Sequence, residues 1–185
     1  HDEHRNPVIV IPGITGSRLV DPETDRVVWG AFAGDYANPH RPEDARLIAL
    51  PMESGVSFAQ LRDEVQSDGV LDRVRVNLLG LPVELKAYTH IMAVLGVGGY
   101  RDEELGTLGA VNYGGEHFTC FQFHYDWRRD NVENAARLHE FIQSRRSAVQ
   151  AALQEKYGVE DADVKFDIVA HSMGGLVVRC FLQND

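Results

Sequence analysis

The chain has 185 residues, about one domain's worth, with 44% apolar and 25% charged residues, a balance that supports a packed core and excludes intrinsic disorder. Its formal charge of −10 repels nucleic acid, and no Lys/Arg cluster offsets it. An anionic bilayer is an unfavourable electrostatic partner for the same reason, so any contact with lipid has to be apolar. No run of about 18 apolar residues exists to span a membrane.

The chain opens on the polar stretch HDEHRNP, without an initiator Met or a signal peptide, as a processed or excised piece would. His1 and His4 read as a frayed terminus rather than metal ligands. Residues 7–11, PVIVI, then Pro12-Gly13, form a short apolar run ending in a sharp turn, which predicts a buried strand. Arg18–Val20 and Arg26–Trp29 flank Asp-Pro-Glu-Thr-Asp, as in a hairpin with a longer loop. Residues 30–55 hold Pro, Gly and Asp without a clean period and read as irregular surface.

From Ser57, the spacing of Phe58, Leu61 and Val65 predicts a short helix. Residues 73–79 alternate, with Val74, Val76 and Leu78 on one face of a strand. Residues 84–95 predict a helix with Leu85, Tyr88, Ile91, Met92 and Leu95 along one stripe, stopped by Gly96. The GVGGY that follows neither succeeds a strand nor opens a long helix, so it is not read as a phosphate loop.

Phe118–Tyr125 is an aromatic-rich strand. Asp130 and Glu133 form a capping box for a helix to Tyr157, with Ala135, Leu138, Phe141, Ile142, Val149 and Leu153 at helical spacing and Gly158 as its stop. Val164–Ala170 is the next strand, and Met173 opens another helix. The alternation of strand, helix, strand, turn and helix argues for a parallel sheet in an α/β fold, with strands 7–11, 118–124 and 164–169 side by side. Cys120 and Cys180 sit in apolar settings and read as two buried thiols rather than a disulfide, which fits a reducing, cytoplasmic compartment.

Three segments carry chemistry. Phe166-Asp-Ile-Val-Ala-His-Ser-Met-Gly-Gly175 matches the nucleophile elbow, with Ala170 where the usual pattern has Gly. A serine on a tight strand-to-helix turn is lifted clear of the sheet, and small residues two before and two after it let the turn pack. Ser172 is therefore the candidate nucleophile. Ile11-Pro-Gly-Ile-Thr-Gly-Ser17 supplies a close-approaching loop after the first strand. Acyl transfer needs two backbone N–H donors on the developing oxyanion. Met173, the residue after the nucleophile, and Ile14 are the expected pair, with Thr15 as an alternative to Ile14. Tyr125-Asp126-Trp127-Arg128-Arg129 follows a strand at its carboxyl end, where ligands sit in open α/β sheets. Tyr125, Asp126 and Trp127 are candidate substrate contacts, against the plainer reading of Trp127 as packing and Asp126 as an ion-pair residue. His171 reads as a packed core histidine, and His117 and His124 as structural. No metal-ligand set is visible.

In these motifs the chain resembles the lecithin:cholesterol acyltransferase family, which includes lysosomal phospholipase A2 and the phospholipid:diacylglycerol acyltransferases. VIVIPGITGSRL, YDWRR and AHSMGGL carry the resemblance, from about Pro7 to Arg179; residues 30–115 match only loosely. The resemblance implies the N-terminal half of an α/β-hydrolase, a mostly parallel sheet with flanking helices. It implies one partial domain over 1–185 with a lid or insertion region at 30–115. It implies a serine-dependent acyl enzyme that moves a fatty acyl chain from a lipid ester, at a membrane surface, to an alcohol or to water, without a cofactor. Ser172 would take the acyl group, and Ile14 and Met173 would be the oxyanion amides.

In this fold the triad order is Ser, then Asp or Glu, then His. Only 13 residues follow Ser172, among them Asp185, so the acid and histidine are expected beyond residue 185 and the chain is expected to be a fragment, inactive alone. The other readings are a simple esterase or lipase using water, and, from a different class, a non-catalytic lipid-binding half-domain. No motif encodes head group, acyl chain, acceptor or oligomeric state.

Overall fold

The computed structural model describes residues 4–30, 37–38, 40–51, 53–57, 60–71, 74–78, 81–85, 87–109 and 117–184, with side chains described for all of these except 74–78, 81–85 and 87. His1 and Asp185, as well as Phe58, fall outside the described residues. In chain order the elements are β1 (Val8–Ile11), β2 (Ser17–Asp21), β3 (Arg26–Trp29), α1 (Pro42–Ile48), β4 (Gln66–Val70), β5 (Val74–Leu78) and β6 (Leu81–Leu85). There follow α2 (Ala87–Val97), β7 (Arg101–Asp102), β8 (Gly106–Thr107), β9 (Cys120–Gln122), α3 (Asn131–Tyr157), β10 (Asp167–Ala170) and α4 (Met173–Asn184).

The expected parallel core is present. The main sheet has the order β10-β1-β9-β7-β8, and β1 pairs parallel with both β10 and β9. All four residues of β1 are buried because a central strand covered on both faces has no solvent side, which is why VIVI is continuously apolar. Alternate residues serve opposite layers. Ile9 and Ile11 join Phe121, Phe123 and Tyr125 beneath α3 and α4, while Val8 and Val10 pack with Cys120 and Met92 of α2. The sheet is thus sandwiched between α2 on one face and α3 with α4 on the other.

The predicted hairpin is β2–β3, extended by antiparallel β4 into a small second sheet over Leu19, Val28 and Val65. β5 and β6 form a separate antiparallel hairpin. Asp130 caps α3 by accepting the Val132 N–H at 2.8 Å, and Gly158 ends it in the left-handed region at φ 67°. Glu133 does not close the capping box; its carboxylate pairs instead with Arg137 at 3.0 Å and Arg62 at 3.5 Å.

Four expectations need correction. Residues 30–55 contain a real helix, α1, opened by Pro42 and acidic in its first turn, and its Asp44 is buried against Arg26 at 2.8 Å. The helix expected after Ser57 is absent over 61–65; Val65 is recruited into the core of the small sheet and leads directly into β4. Glu84 and Leu85 belong to β6, so the helix predicted from 84 begins at Ala87. Gly96 does not stop α2, which runs to Val97. A Cβ on Gly96 would lie 2.5 Å from the Gly109 nitrogen, so this glycine serves a close backbone approach. The strands β9 and β10 are also shorter than predicted, trimmed to the residues that face β1.

Among the described residues no helix is long and apolar enough to cross a membrane.

Candidate functional site

β10 hydrogen-bonds along β1 up to the turn itself, where the His171 N–H donates to the Ile11 carbonyl at 3.0 Å. The chain then reverses within two overlapping turns: Gly174 N–H donates to the His171 carbonyl at 2.9 Å and Gly175 N–H to the Ser172 carbonyl at 3.0 Å. Between them Ser172 sits at φ 53°, in the left-handed region that a non-glycine residue rarely adopts. Such a conformation typically costs about 1–3 kcal/mol and persists only where surrounding contacts impose it. Here the contact is close: a Cβ on Gly174 would stand 2.5 Å from the Pro12 carbonyl oxygen, so the first turn of α4 packs directly on the loop after β1. Ser172 is exposed.

The loop after β1 is equally constrained. Gly16 N–H donates to the Gly13 carbonyl at 3.0 Å, closing a turn with Thr15 at φ 62°. The Trp29 indole donates to the Thr15 carbonyl at 3.0 Å and fixes that turn from β3. Gly13 faces the elbow: a Cβ there would meet Ser172 Cβ at 2.9 Å and His171 Nδ1 at 3.1 Å. The structure therefore brings the Ile14 turn and the Ser172 elbow side by side. Among the described residues, the N–H groups of Ile14 and Met173 donate to no protein acceptor, and the Ile14 side chain is 56% exposed.

The YDWRR segment lies directly behind the loop after β1. Tyr125 and Asp126 are each 1% exposed. Tyr125 donates its hydroxyl to the Pro12 carbonyl at 2.9 Å and its N–H to Ser17 Oγ at 3.1 Å. Burial pushes its phenol well above the usual tyrosine range, so it stays protonated as a donor. Trp127 donates its indole N–H to the Ser17 carbonyl at 3.2 Å and packs edge-on to Trp29. Asp126 receives Arg128 at 2.8 Å and Arg129 at 3.3 Å, and Arg128 also reaches Asp63 at 2.8 Å. Burial works against the Arg128 charge, but the hydrogen bonds it donates to the two carboxylates overcome it and hold its pKa above the ordinary value. Tyr125 and Trp127 thus brace the loop after β1 from behind, while Asp126 anchors Arg128 and Arg129.

Two histidines behave as read and one does not. His117 is buried edge-on to Tyr157, and His124 faces Ser67 Oγ at 2.9 Å through Nδ1. His171 is exposed rather than packed in the core, because β10 is an edge strand; its Nδ1 lies 3.2 Å from the Tyr88 hydroxyl. No imidazole among the described residues is hydrogen-bonded to the Ser172 hydroxyl. Cys120 is buried, its thiol pushed up by desolvation and by Asp102, and Cys180 is partly buried; both are free. Among the described residues no group of three or more His, Cys, Asp or Glu could hold a metal ion.

Sequence reasoning missed two residues. Tyr88 was assigned to an apolar stripe, and its ring is indeed buried, but its hydroxyl accepts the Gly13 N–H at 2.8 Å. Asn134, fully buried, donates to the Asp126 carbonyl at 3.1 Å and ties α3 to the bracing segment. Neither signal is periodic, so neither was available from spacing. Tyr88 also lines a cleft of about 310 Å³ with Val70, Leu71, Met92, Leu105 and Leu108.

The architecture is thus a mixed α/β fold with a mostly parallel five-stranded sheet, whose edge strand enters a helix through a strained, exposed serine. Over 98% of its length the chain is similar, at 27% identity, to lecithin-cholesterol acyltransferase-like 4 of Arabidopsis thaliana. This supports the relationship to the lecithin:cholesterol acyltransferase family that the motifs indicate. The chain spans 31% of that relative's length. No family model matches the chain. No solved structure matches it.

Proposed function

We propose that this chain is the nucleophile-bearing part of an α/β-hydrolase-type enzyme that transfers acyl groups from lipid esters through an acyl-enzyme on Ser172. The observation that carries the reading is the left-handed φ of 53° at an exposed serine between β10 and α4. A helix cap needs no such strain, and neither does a lipid-binding half-domain. The relative's name, that of an acyltransferase-like protein, points to the same chemistry.

In this mechanism Ser172 Oγ attacks the ester carbonyl carbon and gives its proton to a histidine base. The carbonyl oxygen becomes an oxyanion held by the N–H groups of Ile14 and Met173, which have no acceptor to leave among the described residues. Collapse breaks the bond to the alcohol portion of the lipid, which takes the proton, and leaves an ester on Ser172. An acceptor alcohol then takes the acyl group; water in its place makes the same centre a lipase or esterase. The base and its acid partner are assigned to residues beyond 185, since His171 is turned to Tyr88. Residues 30–115 are assigned as the lid or insertion, with α2 and β7 forming its base on the main sheet. The apolar cleft beside Tyr88 suits an acyl chain, and a lipid at a membrane surface is the proposed substrate.

The test is labelling of the full-length protein with a fluorophosphonate, followed by peptide mass spectrometry, alongside ester turnover by wild type, Ser172→Ala and residues 1–185 alone. The expected result is one adduct, on Ser172, with turnover lost in Ser172→Ala and near background for residues 1–185. Full turnover by Ser172→Ala removes the serine mechanism. Full turnover by residues 1–185 places the base within them.

A further inference from the structure

Tyr88 reaches across from α2, on the opposite face of the sheet from α3 and α4, to the two loops that frame the candidate site. Its oxygen accepts the Gly13 N–H at 2.8 Å, and the same oxygen lies 3.2 Å from His171 Nδ1. A phenol oxygen that accepts one N–H still has its own proton to give. With His171 protonated on Nε2, that proton satisfies Nδ1 and completes a chain from Gly13 N–H through Tyr88 to His171. The two rings also meet edge-on with centroids 5.9 Å apart. The fit is tight on the loop side as well, since a Cβ on Gly16 would stand 2.9 Å from the Tyr88 oxygen.

We propose that Tyr88 is a positioning residue for the oxyanion hole: by joining the Gly13 amide to the His171 ring, its hydroxyl sets the separation between the turn that bears the Ile14 N–H and the elbow that bears the Met173 N–H. The inference rests on the acyl-enzyme reading above. Gly13 and His171 each immediately precede a residue of the functional set, Ile14 and Ser172, so a link between them acts one peptide away from both halves of the site. Side-chain packing alone constrains such loops loosely, whereas hydrogen bonds of defined length and direction fix their spacing. Burial raises the Tyr88 phenol above its ordinary pKa, which keeps it protonated, and so able to donate, throughout the neutral range. The tyrosine does not touch the reacting atoms in this role. It keeps two donors at a distance that suits one oxygen, and that matters more in the tetrahedral state than in the ground state.

The experiment uses the full-length protein with wild type, Tyr88→Phe, Tyr88→3-fluorotyrosine and Ser172→Ala. It measures kcat and KM for a short-chain ester and the affinity for a trifluoromethyl ketone, which forms a tetrahedral adduct on serine. Tyr88→Phe is expected to lower kcat by about tenfold or more and to weaken the ketone by a similar factor, with KM changed less than about threefold. The fluorinated tyrosine keeps ring and hydroxyl, with the oxygen a weaker acceptor toward Gly13 and a stronger donor toward His171, so it should fold normally and keep both readouts much closer to wild type than Tyr88→Phe does. Wild-type values for kcat and ketone affinity in Tyr88→Phe overturn the proposal, as does a loss confined to KM or a loss in the fluorinated variant as large as in Tyr88→Phe. Turnover by Ser172→Ala overturns the underlying acyl-enzyme reading instead, so the two failures are distinct.

Discussion

Gly13 lies so close to Ser172 that a methyl group on Gly13 would stand 2.9 Å from the Ser172 Cβ and 3.2 Å from the His171 carbonyl oxygen. Neither neighbour is the end of a flexible side chain, so Gly13→Ala forces the loop and elbow apart. Overpacking of this kind costs about 1–3 kcal/mol. The expected outcome is a lower Tm together with at least a tenfold slower fluorophosphonate reaction at Ser172. A Gly13→Ala protein that labels at the wild-type rate would show that the two loops are not held in this register.

Ser172 stores backbone strain at φ 53°. Glycine adopts that region freely, so Ser172→Gly should stabilise the protein by about 1 kcal/mol relative to Ser172→Ala while both lack activity. Urea denaturation of the two variants provides the comparison. Equal stabilities would mean that the elbow is not strained.

Arg128 is almost fully buried between Asp126 and Asp63, and it also donates to the Leu47 carbonyl at 3.1 Å. Removing it takes the closer of two cations from each carboxylate and leaves Arg129 at 3.3 Å from Asp126 and 3.6 Å from Asp63. Arg128→Ala should therefore destabilise by about 1–3 kcal/mol, less than the roughly 3–5 kcal/mol of a fully unpaired buried charge, because Arg129 remains beside both carboxylates. Arg128→Lys should recover only part of this, because an ammonium cannot bridge both carboxylates with the planar fork. A loss below about 1 kcal/mol in Arg128→Ala, measured by chemical denaturation, would reduce the network to a surface feature.

Burial holds the pKa of His124 below its ordinary value, the Asp68 charge opposing the shift and the Arg145 charge adding to it. The folded state thus takes up its proton later than the unfolded chain as pH falls. Stability contributed by neutral His124 is complete above about pH 6.5, the unfolded value, and declines as pH drops from there through the lower folded value. His124→Gln should show a shallower decline in unfolding free energy between pH 7.5 and 5. The same slope in both proteins would mean that other groups dominate acid destabilisation.

The parallel core was legible in the residues because its signals are local and redundant. VIVI before Pro-Gly can only be buried on both faces, α3 carries its own cap and stop in Asp130 and Gly158, and AHSMGG follows a strand and opens a helix. Residues 30–97 were less legible. Val65 has helical spacing from Leu61, yet it packs with Leu19 and Val28, residues far earlier in the chain. Gly96 looks like a helix stop, yet it is a contact with Gly109. In both cases a long-range neighbour overrides a local preference worth less than about 1 kcal/mol.

For the candidate site, the sequence by itself determined which residue types stand where: a serine flanked by small residues on a strand-to-helix turn, and a glycine turn after the first strand. It determined no distance between them, because they are about 160 positions apart and meet only through the pairing of β1 with β10. The tertiary structure alone decided that Tyr125 and Trp127 brace the first loop from behind while Asp126 holds Arg128, since their polar atoms find partners in Pro12, Ser17 and Arg128 that no spacing announces. It also alone decided that a tyrosine from α2 joins Gly13 to His171. A hydroxyl's hydrogen bonds depend on where its ring is buried and on which unpaired groups lie within about 3 Å, and only the folded chain sets those.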